Sequence, residues 1–105
     1  MGHNRSMSRV PYAPAAVGQR IRQTREAFGH YNAAEFARLI GVKPQELNAW
    51  EKGERRPSIA KAQPIVRLCN VTLDWIFLGD PSTLRHEVAS RLFAQAPVAA
   101  QQNPD

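Results

Sequence analysis

The chain has 105 residues, of which 43% are AVILMFWYC, 22% charged and 8% aromatic, a globular composition with apolar mass for one core. That length rules out a large enzyme fold such as a barrel of eight strand–helix units, which needs ~250 residues. Fourteen Lys+Arg against nine Asp+Glu leave a formal net charge of +5, a surplus that points to an anionic partner, nucleic acid ahead of a membrane surface.

The surplus is uneven. Residues 1–16 hold Arg5 and Arg9 and no acid, residues 17–79 hold ten Lys/Arg and six Asp/Glu, and residues 80–105 hold two Arg and three acids. Cys69 is the one cysteine, which excludes an intramolecular disulfide and a Cys-rich zinc site. Its apolar run, IVRLCNV, marks it as a core thiol. His3, His30 and His86 stand far apart with no acid or cysteine at ligand spacing, so neither a metal nor a cofactor is expected. Phosphate-binding glycine loops and a Gly-x-Ser-x-Gly elbow are missing. Glu35, Glu46, Glu51 and Asp74 are accounted for by capping, helix ends and ion pairing, which leaves no catalytic constellation. With no 18-residue apolar run and no apolar signal-peptide core, the expectation is a cytoplasmic chain without membrane contact.

In chain order, residues 1–14 are polar and proline-containing and predict a flexible N-terminal arm. Val17, Ile21, Thr24 and Phe28 recur at helical spacing and predict a first helix over 15–28, with Arg20, Arg22 and Arg25 off that stripe and Gly29 as the stop. Asn32-x-x-Glu35 is a variant of the capping box and opens a second helix. Its expected apolar face is Phe36, Leu39 and Ile40, its small residues are Ala33, Ala34 and Ala37, and Gly41 ends it. Pro44 suits the first position of a third helix, where its missing N–H is not needed. Leu47 and Trp50 form the buried stripe of that helix, and Gly53 terminates it. Glu54-Arg55-Arg56-Pro57 is a charged loop.

Ser58 caps a fourth helix over about 59–69, in which Pro64 predicts a late start or a kink. Thr72 caps a short fifth helix, Leu73–Leu78, stopped by Gly79. Leu84, Val88, Leu92 and Phe93 predict a sixth, amphipathic helix over 83–94, followed by a disordered tail. Nothing alternates as a strand does, so the class is all-α. The expected organisation is an arm over 1–14, a domain over 15–79, and a C-terminal helix with a tail over 80–105.

The stretch from Asn32 to Ser58, NAAEFARLIGVKPQELNAWEKGERRPS, resembles the helix-turn-helix of the phage-repressor-like (Xre, Cro-type) family. The matching features are Phe36-Ala37, Gly41-Val42, Leu47, Trp50-Glu51, Gly53 and Pro57-Ser58. The following IAKAQPIVRLCNVTLDWIFLG is similar to the family's fourth and fifth helices, so the likeness covers about residues 17–79. It implies a five-helix, lambda-repressor-like DNA-binding domain with the motif at helices two and three. Two departures stand out. Ala33 replaces the frequent Gln at the start of helix two, and Lys43 replaces the Ser or Thr cap of helix three. The loop at His30-Tyr31 is also one residue long relative to the usual form.

The resemblance further implies that the outward side of the third helix reads bases in the major groove. Lys43, Pro44, Gln45, Asn48, Ala49 and Lys52 are expected to face outward. Gln45 and Asn48 are the expected base-edge contacts, and Ala49 is expected against a thymine methyl. Glu46 would either accept from a cytosine or favour the positive helix N-terminus. Asn32, Lys43, Lys52, Arg55 and Arg56 are the expected backbone contacts, which position without reading sequence. Arg25 and Glu51 are expected to form a structural ion pair, and Trp50 and Trp75 to be core residues.

The function implied is sequence-specific binding of double-stranded DNA by a transcriptional regulator, a repressor, acting as a homodimer on two half-sites. Leu84, Val88 and Leu92 are one candidate dimer surface, with packing of that helix on its own domain as the alternative. The alternative function is an antitoxin-type DNA-binding module that holds a partner protein through its C-terminal segment.

Overall fold

The computed structural model describes residues 10–94, and all regular structure among them is helical. Helix α1 spans Pro14–Ala27, α2 Ala33–Ile40, α3 Pro44–Glu51 and α4 Ile59–Cys69. A π-helical turn at Asp74–Leu78 and a 3-10 turn at Pro81–Thr83 lead to α5, His86–Phe93.

Local chemistry sets these limits. Pro14 opens α1 one residue earlier than expected, again at the position that needs no N–H donor. Asn32 Oδ1 accepts from Glu35 N at 3.0 Å, and Ser58 Oγ accepts from Lys61 N at 3.1 Å, so both side chains satisfy free helix-end amides. Thr72 Oγ1 does the same for Trp75 N at 3.0 Å. Between α2 and α3 the chain reverses at Gly41, whose φ of 80° is a left-handed value that costs glycine little. Helix α4 begins at Ile59 with Pro64 in its interior, so of the late start or kink expected there the late start does not occur. The proline deprives the Ala60 carbonyl of a partner, but Ala60 is exposed and water can replace it.

Helix α1 is the centre of the packing. It lies against α3, the π-helical turn and α5, while α2 packs on α3 and α4. Val17, Ile21, Phe36, Leu47, Trp50, Ile65, Trp75 and Ile76 are buried in one cluster. Thr24 on α1 is buried with both functions used: its hydroxyl donates to Arg20 O at 2.7 Å and accepts from Trp75 Nε1 at 3.0 Å. Cys69 is buried at the end of α4, and burial pushes its thiol up to about 11, which keeps it neutral. Leu39 differs from its expected inward place and is 58% exposed. The buried stripe of α2 is Phe36, Ala37 and Ile40, and at helical pitch Leu39 lies ~100° from its centre.

The C-terminal helix packs back on the domain. Val88 and Leu92 belong to the main cluster, with Leu84 partly buried beside it. Arg91 Nε donates to Ala27 O at 2.8 Å, and its guanidinium lies 5.0 Å from the Phe28 ring centroid. A cation at the last carbonyls of α1 suits the negative end of that helix. These residues are therefore committed to their own core, which corrects their candidacy as a dimer surface. The helix starts at His86, not 83, because Leu84 and Arg85 are extended. The expected disordered tail beyond residue 94 and the first nine residues of the arm lie outside the described residues. The last part of the arm is held: Arg56 Nη1 donates to Tyr12 O at 3.0 Å, and Arg20 Nη2 donates to Pro11 O.

Candidate nucleic-acid interface

Helix α3 has a gripped side and an open side. Leu47 and Trp50 face the core and are fully buried. Two α1 residues, seven apart and so on one face, hold the end of α3. Gly18 is the first: a Cβ there would overlap the Trp50 carbonyl, so the absent side chain lets the two backbones approach.

Arg25 is the second. Its Nε donates to Glu51 Oε2 at 2.8 Å and its Nη2 to Glu51 Oε1 at 2.9 Å, a bidentate pair. Its Nη1 donates to His30 O at 2.9 Å and Tyr31 O at 3.0 Å, which ties down the long loop before α2. Hydrogen bonding to Glu51 raises the Arg25 pKa, so the guanidinium is a permanent cation in a pocket that leaves the side chain 6% exposed.

On the open side, Gln45, Asn48 and Lys52 are exposed. Their spacing, i, i+3, i+7, puts them on one stripe of α3. Lys43 and Pro44 are exposed at the N-terminal end of the helix, and Lys43 supplies no side-chain cap. Helix α3 thus starts on Pro44 alone, with Lys43 free to extend into solvent. Arg55 and Arg56 are exposed in the following loop, where Arg56 also stacks 5.7 Å from the Tyr12 ring centroid. Asn32 is exposed at the start of α2, its side-chain oxygen engaged as the cap.

Ala49 is a correction. The residue is 7% exposed and so does not face solvent as expected. Beyond it the helix end is closed by the backbone, with Gly53 N donating to Trp50 O at 3.0 Å and Glu54 N to Ala49 O at 2.9 Å. A methyl so covered is unavailable to a thymine.

One contact had no counterpart in the sequence reading. Lys61 Nζ lies 2.6 Å from Glu46 Oε2 and joins the first turn of α4 to the first turn of α3. The two residues are fifteen apart on separate helices, and no local pattern links them. Among the described residues no group of three or more His, Cys, Asp or Glu is placed to hold a metal ion, and no helix is long and apolar enough to cross a membrane.

A helix held from behind, with polar side chains in register in front and cations flanking it, matches what a groove-reading helix requires. Known proteins are similar in the same region. The helix-turn-helix family model matches residues 21–76. A protein of Rhodospirillum rubrum, described as an uncharacterized transcriptional regulator in the ATPase CF(0) region, is 34% identical over 82 residues, covering 74% of this chain and 72% of that protein. An uncharacterized HTH-type transcriptional regulator of Archaeoglobus fulgidus is 32% identical over 65 residues, covering 62% of this chain and 91% of that protein. No solved structure matches the chain. The match across α1 to the π-helical turn, together with the geometry of α3, places the chain in the helix-turn-helix family of the phage-repressor-like (Xre) type.

Proposed function

We propose that this protein is a sequence-specific repressor that reads duplex DNA with α3. Family membership makes it a DNA-binding regulator of transcription, not an enzyme. The observation that carries the finer reading is the exposed Gln45–Asn48–Lys52 stripe on a helix whose other side is locked by Gly18 and Arg25. Gln45 and Asn48 offer paired donors and acceptors to adenine edges. Lys43, Lys52, Arg55 and Arg56, with Asn32 on α2, meet phosphates on either side. Such a repressor acts in the cytoplasm, beside the DNA it binds.

One eight-residue helix reads few bases, so useful affinity comes from two copies on two half-sites ~34 Å apart. With Val88 and Leu92 buried, an apolar surface still open to a second copy among the described residues is a groove of about 810 Å³. Ile59, Leu73, Phe77 and Leu78 line it, together with Arg56 and Asp74. The burial of the C-terminal helix in its own core favours this reading over one in which that helix holds a different protein.

Binding-site selection from random duplexes tests the proposal. The wild type should select two half-sites. The Gln45→Ala variant should lose ~1–3 kcal/mol of discrimination at one position per half-site while keeping salt-sensitive binding. An unchanged selection removes Gln45 from the reading face, and a single isolated half-site removes the dimer.

A further inference from the structure

Helix α3 carries one acid in its first turn, Glu46, at the end that the proposed function sends into the groove. An acid there favours the helix, because it faces the positive end of the helix dipole. The same charge opposes DNA, since phosphates repel it. Helical geometry puts Glu46 off the reading stripe, ~100° from its chain neighbour Gln45 and toward the Ala49 side. Its carboxylate is directed at Lys61, whose backbone is fixed by the Ser58 cap of α4. Helix α4 packs mainly on α2, and this ion pair links it to the start of the reading helix.

We propose that Lys61 is a positioning residue for DNA binding and acts through Glu46. It turns the carboxylate toward α4 and cancels its charge, so the acid supports the start of α3 without repelling the duplex. Lys61 itself touches no phosphate. Glu46 reads no base, because its Oε2 is engaged by the ammonium. The inference rests on α3 being the reading helix, and the Gln45→Ala variant in the same assay tests that separately.

The test is a double-mutant cycle on the full chain with a selected operator. Affinity is measured against salt for the wild type, K61A, E46Q and the double variant, each first checked for its wild-type melting profile. K61A should weaken binding about tenfold by leaving a free carboxylate, and E46Q should stay within about threefold of wild type. The double variant should recover to within about threefold of wild type, because no uncompensated acid remains. Removing Lys61 in the E46Q background should leave the slope of log K against log salt unchanged.

A lysine on a phosphate predicts the opposite: an equal loss in both backgrounds and a slope smaller by ~0.9. Either result overturns the proposal, as does a changed base preference for E46Q alone. If Gln45→Ala loses its preference while the cycle is additive, the role of Lys61 fails and the reading helix stands. If Gln45→Ala selects as the wild type does, Gln45 leaves the reading face, and the cycle alone decides the role of Lys61.

Discussion

Arg25–Glu51 and Lys61–Glu46 tie opposite ends of the same eight-residue helix, and both join a basic side chain to a glutamate. Their surroundings differ. Arg25 and Glu51 side chains are 6% and 11% exposed, and the arginine spends its remaining donors on two loop carbonyls. Lys61 and Glu46 are 53% and 22% exposed, joined by a single contact. Water screens the second pair far more than the first. The difference separates two jobs: the buried pair holds α3 in the fold, and the open pair adjusts the charge that α3 carries to the DNA.

The contrast is tested most severely at Arg25. Arg25→Ala leaves Glu51 charged and nearly buried and frees the His30 and Tyr31 carbonyls, and should cost ~3–5 kcal/mol in urea unfolding. A loss below 1 kcal/mol would mean that water reaches the pair and that the two ends of α3 are alike. Gly18→Ala comes next. Its methyl overlaps the backbone carbonyl of Trp50, which no rotamer change can relieve, so the variant should lose ~1–3 kcal/mol of stability. An unchanged melting temperature would show that α1 and α3 can slide apart without cost. Lys61→Ala is expected to be the mildest for the fold, within ~0–1 kcal/mol of wild type, as exposed pairs usually are. A larger loss would make Lys61 a structural brace like Arg25.

Much of the fold was legible because its limits are local. Asn32, Ser58 and Thr72 cap the helices that follow them, and Gly41 and Pro44 turn the chain, because each acts on atoms within a few residues of itself. The Arg25–Glu51 partnership spans 26 residues and came from family resemblance, not from any periodic pattern. Apolar spacing alone misplaced two residues. Leu39 was assigned inward and is exposed, and Ala49 was assigned outward and is buried. A helix gripped on two sides buries a wider arc than a single stripe suggests, and which flank is covered depends on the neighbours. The pairing of Lys61 with Glu46 was illegible for the same reason: two helix starts must first be brought side by side.

The caps at Asn32, Ser58 and Thr72, the motif and the polar stripe of α3 were settled within the sequence, since hydrogen-bond capping, backbone freedom and the 3.6-residue period act over one or two turns. Three things waited for the assembled chain. The C-terminal helix closes its own core, Ala49 is buried, and Glu46 meets a lysine from another helix. Each depends on which surfaces α1 brings together, and an amphipathic pattern records that a face will be covered without recording by what.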